Sequence, residues 1–192
     1  VAVYLGNGNG TFDAAVTYGS SYSVKAVYAA DMDGDAILDL VAGTFDDGFP
    51  GNGEVAVFVG NGNGTFAAAV EYGIDSAGSY NLGIGDITSD GLVDVVALTY
   101  FDGEIQNFIN TGAGVLSAGA AINKGSTTQQ IILAPLDADN NLDAALSTNG
   151  SFSKIIGDGA GGFSAATGVG QPRGDFAAAD TDGDGDLDLV VS

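Results

Sequence analysis

The chain of 192 residues contains no Cys, no His and no Trp, and its only cationic side chains are Lys25, Lys124, Lys154 and Arg173. Without Cys or His there is no disulfide framework, no zinc or haem site of the usual kind, and no nucleophilic catalysis built on either residue. Four cations against 25 acids give a formal net charge of −21. A surface so poor in positive charge cannot neutralise a phosphate backbone, so nucleic acid is excluded as a partner. Long hydrophobic runs are missing too: no stretch reaches the roughly 18 apolar residues of a membrane-spanning helix, so no membrane insertion is expected. No charged segment followed by an apolar one marks a signal peptide at the start. A first residue of Val reads as a chain processed or excised from a longer one.

What is present is glycine, 32 residues of it, beside only 3 Pro. Glycine at that density disfavours helices and points to turns. Acidic chains that stay disordered are poor in apolar and aromatic residues, whereas this one is 45% apolar with 10 Phe and 7 Tyr. It has the material for a core.

The sequence repeats internally. Val1 to Phe12, VAVYLGNGNGTF, returns as Val55 to Phe66, VAVFVGNGNGTF, with ten of twelve residues identical. Weaker copies run from Gln106 to Leu116 and from Lys154 to Phe163, which places the closing apolar residue at Phe12, Phe66, Leu116 and Phe163. A second signature interleaves with the first: Asp31 to Leu40 DMDGDAILDL, Asp86 to Val95 DITSDGLVDV, Pro135 to Ala144 PLDADNNLDA, and Asp180 to Leu189 DTDGDGDLDL.

Each unit therefore reads as strand, acidic loop, strand, variable loop, strand, Gly-Asn turn, strand. The spacing predicts strands over Val24 to Ala30, Leu38 to Gly43, Glu54 to Gly60 and Ala68 to Tyr72 in the first complete unit. Asn-Gly supplies the positive φ that a tight hairpin turn requires. Four short strands in a repeat of about 40 to 50 residues is the arithmetic of a β-propeller blade. The nearly continuous apolar strands, such as VAVFV, fit blades covered on both faces.

The fold class expected is thus all-β, a β-propeller of four-stranded antiparallel blades, about four in this chain. Repeat units fall near 1–23, 24–73, 74–122, 123–170 and 171–192, the first and last being complementary halves of one split blade. Three arrangements fit that phase: a ring closing at four blades, a ring continuing outside this chain, or a blade completed by another subunit.

The acidic loops carry the chemistry. In the last copy Asp180, Asp182, Asp184 and Asp188 occupy loop positions 1, 3, 5 and 9, with glycines between. Calcium takes six to eight oxygens, and alternate side chains of a curled loop can converge on one ion when glycine relieves the curl. An EF-hand would need Glu at position 12, where this chain has Ala42 and Val191, so that reading fails.

The DxDxDGxxDL loops, the apolar strand after each and the GNGNGTF turn resemble the FG-GAP or VCBS repeats of integrin-α-type β-propellers, and the likeness extends over essentially the whole chain. In that family the loop binds Ca2+ through positions 1, 3, 5 and 9 and the carbonyl of position 7. The resemblance implies as ligands Asp31, Asp33, Asp35 and Asp39 with the carbonyl of Ile37; Asp86, Asp90 and Asp94, with Thr88 at position 3 and the carbonyl of Leu92; and Asp180, Asp182, Asp184 and Asp188 with the carbonyl of Asp186. The third loop is degenerate: Pro135 replaces the first acid, leaving Asp137, Asp139 and Asp143 with Asn141 at position 7. The match to the pattern ranks the loops fourth, first, second, third. Ala36 stands where the family prefers Gly.

Extracellular calcium modules bind at about 10⁻⁴ to 10⁻³ M, so such loops fill outside cells and a secreted or cell-surface location is expected. No catalytic set is read from the sequence, since Glu54, Glu71 and Glu104 stand apart from one another along the chain. The expected role is non-catalytic adhesion or recognition of an extracellular protein or glycan; a subunit of a fibre or surface layer that pairs with copies of itself comes second, and a calcium-dependent polysaccharide lyase third. If the acidic loops share one end of the blades, variable loops build the other. Tyr22, Phe45, Tyr80, Tyr100, Phe101 and Arg173 are the candidate ligand contacts there, because aromatics and Arg favour recognition. Asn9, Asn63 and Asn149 begin N-x-S/T triplets, the first two inside the repeated turn, where a hairpin role suffices.

Overall fold

The computed structural model of the protein describes residues 1–46, 52–74, 78–99, 103–123, 128–148, 151–170, 176–184 and 187–191. Its regular elements are all strands. A two-stranded sheet, β1 (Ala2–Val3) with β2 (Val16–Thr17), comes first. Three four-stranded antiparallel sheets follow. The first holds β3 (Ser23–Ala30), β4 (Asp39–Phe45), β5 (Glu54–Phe58) and β6 (Val70–Gly73); the second holds β7 (Ser79–Gly85), β8 (Asp94–Thr99), β9 (Glu104–Asn110) and β10 (Leu116–Asn123). The third holds β11 (Thr128–Ala134), β12 (Asp143–Thr148), β13 (Ser151–Ile155) and β14 (Thr167–Gly170). The hairpin β15 (Phe176–Ala179) and β16 (Asp188–Val191) ends the series.

Within each four-stranded sheet, neighbours in sequence are neighbours in space. The sheets pack face to face in chain order. Met32, Val41, Val55, Val57, Leu82, Val95 and Phe108 fill the space between the first and second four-stranded sheets. Ile87, Val96, Leu98, Ile105, Ile131, Leu146 and Ile155 fill that between the second and third. Val1 and Tyr18 pack with Ala42, Ala56 and Phe58 on the N-terminal side, and Phe176 stands edge-on to Phe152 on the C-terminal side. Strands β4, β5 and β8 are buried along nearly their whole length because alternate side chains enter different cores. The terminal hairpins β1–β2 and β15–β16 stand as two separate sheets.

The expected strand boundaries shift by one or two residues. β4 begins at Asp39 and runs to Phe45, and β5 stops at Phe58. The chain leaves β5 there because Gly60 turns to bridge Phe66, and its N–H is spent on the carboxylate of Asp39.

Candidate metal centre

Each acidic loop joins the first two strands of a sheet, and in the first two four-stranded sheets its position 2 turns into a core. Met32 and Ile87, at position 2, are buried in the intersheet cores, at 0% and 2% exposure. Odd positions carry the acids inward to the loop. Asp31 Oδ1 and Oδ2 accept the N–H groups of Gly34 and Ala36 at 2.8 and 2.9 Å, which curls the chain around one carboxylate. The curl requires a left-handed residue at position 6, and Ala36 adopts φ +66° there. Asp35 Oδ1 accepts from Ile37 N at 2.7 Å and Asp90 Oδ1 from Leu92 N at 2.9 Å, so both position-7 peptides are held in the loop by the acid two residues before.

The structure brings two trios of carboxylates together: Asp31, Asp33 and Asp39, and Asp180, Asp182 and Asp188, each offering oxygens within 4.8 Å of one another. These are the loops that match the sequence pattern best. Asp35 and Asp184 lie in the same loops outside the trios. Asp186 falls outside the described residues. An all-oxygen, multiply anionic donor set suits a hard divalent cation such as calcium and no soft metal. Asp33 is held above the usual carboxylate range, by desolvation first and then by the negative charges of Asp35, Asp39 and Asp31. Asp188 is held below it by the hydroxyl and N–H of Thr181.

The position-9 acids have a second task that the sequence reading did not assign. Asp39, Asp94 and Asp143 are fully buried. Asp39 accepts from Met32 N at 2.8 Å and Gly60 N at 2.7 Å; Asp94 from Ile87 N at 3.0 Å and Asn110 N at 2.8 Å; Asp143 from Leu136 N at 2.7 Å and Gly157 N at 2.8 Å. Each carboxylate clips the start of its own acidic loop to the Gly-rich turn between the third and fourth strands. Desolvation raises Asp94, and the N–H groups of Asn110 and Ile87 oppose that rise. The signal was in the sequence, since Gly6, Gly60 and Gly157 all stand six residues before the closing Phe; its meaning was not.

The turns themselves are stapled by Asn. Asn63 Oδ1 accepts from the N–H and hydroxyl of Thr65 at 3.0 and 2.6 Å, and Asn9 does the same with Thr11 at 3.0 and 2.7 Å. Asn149 lies outside the described residues.

At the other end of the β3–β4 ladder, Ser21, Tyr22, Ser23, Phe45 and Asp46 line a cavity of about 360 Å³. The ladder pairs Ser23 with Phe45 at this end and Ala30 with Asp39 at the acidic end. Seven residue steps separate them, about 23 Å at the usual strand rise. The ammonium of Lys25 lies 5.8 Å from the centroid of the Phe45 ring. Of the other candidate contacts, Tyr80 falls in β7 and its side chain is outside the described set, as are Tyr100, Phe101 and Arg173 altogether.

Two acids read as isolated are brought together here. The β5–β6 register sets Ala56 opposite Glu71 and Glu54 opposite Gly73, which makes Glu54 and Glu71 diagonal neighbours. Glu71 accepts the N–H of Ser21 at 2.6 Å and its hydroxyl at 2.5 Å, and Glu54 Oε2 is buried without a hydrogen bond. Glu54 is held above the usual range by desolvation and then by the Glu71 charge. Only strand register reveals this pair, because the two residues are 17 apart in sequence.

Among solved structures, that of an Agrocybe aegerita lectin, described for specific recognition of non-reducing terminal N-acetylglucosamine, is similar over 98% of this chain and 67% of its own, with 17% identity and a TM-score of 0.53. That of the Photorhabdus luminescens Tc holotoxin pore is similar over 98% of this chain and 12% of its own, with 16% identity and a TM-score of 0.42. No curated protein matches the chain in sequence. The family model of the FG-GAP-like repeat matches residues 1–42, a segment that contains one Gly-Asn turn and the whole acidic loop from Asp31 to Asp39. Residues 1–42 thus match an FG-GAP-like repeat, consistent with the resemblance of the chain to the FG-GAP/VCBS repeat family.

Proposed function

We propose that the chain is a calcium-binding, non-catalytic recognition module of β-propeller type that works outside the cell and takes a glycan at the end opposite its acidic loops. The observation that carries this reading is the division of labour along β3–β4: converging carboxylates at one end, and at the other a cavity where Tyr22 and Phe45 lie among Ser21, Ser23 and Asp46. The partly exposed ring of Tyr22, beside hydroxyls and a carboxylate and backed by the buried Phe45, matches the mixed apolar and polar faces of a sugar. The fold shared with a lectin supports the choice of glycan over protein.

In the first loop Asp31, Asp33 and Asp39 would hold the ion, and in the last Asp180, Asp182 and Asp188. Bound calcium would supply charge neutralisation to a loop that otherwise crowds carboxylates, and so stabilise the sheet end it caps. The non-catalytic part rests on the acid pair Glu54 and Glu71: Glu71 is committed to Ser21 and the Glu54 Oε2 atom is enclosed. Glu71 lines an open depression with Gly19, Ser20, Ser21, Ala68 and Ala69, but each of its oxygens is engaged by Ser21, which argues against its use as a general acid or base.

Two measurements test the proposal. Thermal melting with calcium and with chelator should differ by several degrees, and identical curves would end the calcium reading. Titration with an N-acetylglucosamine-terminated oligosaccharide, and with a panel of other glycans, should show binding that Tyr22→Ala and Phe45→Ala each weaken at least tenfold. Binding to no glycan by the folded protein, or binding indifferent to both substitutions, rejects the recognition site.

A further inference from the structure

We infer that only two of the four acidic loops, 31–39 and 180–188, take calcium, and that Thr88 and Asn141 close the other two with hydrogen bonds in place of an ion. The inference rests on the calcium reading above and adds a count to it.

Loops 31–39 and 86–94 share a backbone plan, with left-handed residues at positions 4 and 6 (Gly34 and Ala36, Ser89 and Gly91), so between these two the difference lies in what stands between their carboxylates. In loops 31–39 and 180–188 the acids at positions 1, 3 and 9 converge, and among the described residues these are the only such trios. Position 3 is an acid in both, Asp33 and Asp182, and a carboxylate brings negative charge to its neighbours with no proton to offer them.

Loop 86–94 has Thr88 at that position. Its hydroxyl lies 3.2 Å from Asp94 Oδ2 and 3.4 Å from Asp86 Oδ1, a single proton shared between the acids of positions 9 and 1. Asp86 also accepts from Asp90 N and Gly91 N, and Asp94 from Ile87 N and Asn110 N, as Asp31 and Asp39 each accept two backbone N–H groups in loop 31–39; the hydroxyl is what loop 86–94 adds. The Thr88 hydroxyl thus links the acids of positions 1 and 9 from position 3, whereas in loop 180–188 the Thr181 hydroxyl reaches Asp188 from position 2 and leaves position 3 to the carboxylate of Asp182.

Loop 135–143 reaches the same end by another route. Pro135 removes the position-1 carboxylate. Asn141 then donates both its N–H and its side-chain amide to Asp139, at 2.9 Å on each oxygen. Asp137 Oδ1 accepts from Asp139 N, and both oxygens of Asp143 are held by Leu136 N and Gly157 N. With three acids where loop 31–39 has four, and a side-chain amide donating among them, this loop has less demand for an ion.

Isothermal titration calorimetry of the whole chain with calcium chloride, after removal of residual metal, reads the count directly. Two ions per chain are expected, falling to one in Asp33→Ala and to one in Asp182→Ala. Thr88→Asp restores the full DxDxDGxxD pattern in loop 86–94, where Gly91 already has φ +87°, and should raise the count to three. Three or four ions in the unaltered chain would overturn the inference and leave the calcium reading standing. Zero ions would overturn both. A folded Thr88→Asp chain that still takes two would show that the hydroxyl is not what keeps calcium out, and would overturn the inference as well. As a second variant, Thr88→Val removes the bridging proton and should lower the melting temperature by the same amount with calcium and with chelator; a loss confined to calcium would count against it.

Discussion

The backbone N–H of Gly60 donates to Asp39 Oδ1 at 2.7 Å, across 21 residues of sequence and between two turns of the same sheet. Asp39 is completely buried, and a buried carboxylate is tolerated where strong donors satisfy it. The same acid belongs to the carboxylate trio with Asp31 and Asp33, so one side chain couples the acidic loop to the Gly-Asn turn. The relation recurs at Asp94 with Asn110 and at Asp143 with Gly157.

The clip and the ligand roles separate by mutation. Asp143→Ala leaves the part-buried N–H of Leu136 and the buried N–H of Gly157 without their acceptor and should cost about 3 kcal/mol, since charge-assisted bonds contribute roughly 1.5 to 3 kcal/mol each. Chemical denaturation should show the same loss with calcium and with chelator. Asp33→Ala, by contrast, should lose stability only when calcium is present, because no buried donor depends on Asp33.

At Gly60 a Cβ would lie 2.4 Å from the carbonyl oxygen of Leu38. Gly60→Ala should therefore destabilise by about 2 kcal/mol or more, the range for overpacking a tight site. The second sheet shows how a larger residue is accommodated. Asn110 occupies the corresponding position and donates its side-chain amide to the carbonyls of Val93 at 3.0 Å and Met32 at 2.7 Å. Gly60→Asn should accordingly cost less than Gly60→Ala, the reverse of their order by size, as read from urea midpoints.

Ala36 is exposed and holds φ +66°. A left-handed conformation costs an L-residue roughly 1 to 2 kcal/mol, and glycine recovers part of that after its own larger entropy loss. Ala36→Gly should raise stability by about 0.5 to 1 kcal/mol, visible as a higher melting temperature, with calcium affinity equal or better.

Glu54 provides a pH signature. Its folded value lies above the ordinary one, so the native state binds the proton more tightly than the unfolded chain. Its contribution to stability is fully present below about pH 4.3, the unperturbed value, and is lost as pH rises through the elevated folded value. Relative to the unaltered chain, Glu54→Gln should become progressively more stable as pH is raised from 4 to 7. A stability difference independent of pH in paired denaturation series would contradict this account.

Asn110 ties adjacent sheets together through Met32, 78 residues earlier. Asn110→Ala leaves the buried carbonyl of Met32 and the part-buried carbonyl of Val93 without its amide and should cost about 2 kcal/mol. Protection from hydrogen exchange should fall in both the first and the second four-stranded sheets, whereas a purely local role would confine the change to the second.

The sequence by itself determined the repeat, the strand-loop-strand unit and the positions of the acids. These are periodic features, and periodic patterns of turn residues and apolar runs are set by local backbone preference. Only the tertiary structure decided what the acids do. Position 9 reads as one more ligand in a linear motif, yet Asp39 is also the buried acceptor for Gly60, because burial and a partner 21 residues away are products of packing. Thr88 reads as a weakened ligand until the hydroxyl is seen between Asp86 and Asp94. Glu54 and Glu71 read as strangers until β5 and β6 fall into register. Spacing along a chain fixes which side chains share a loop, but which of them meet, and whether a proton or an ion stands between them, depends on donors brought from other strands.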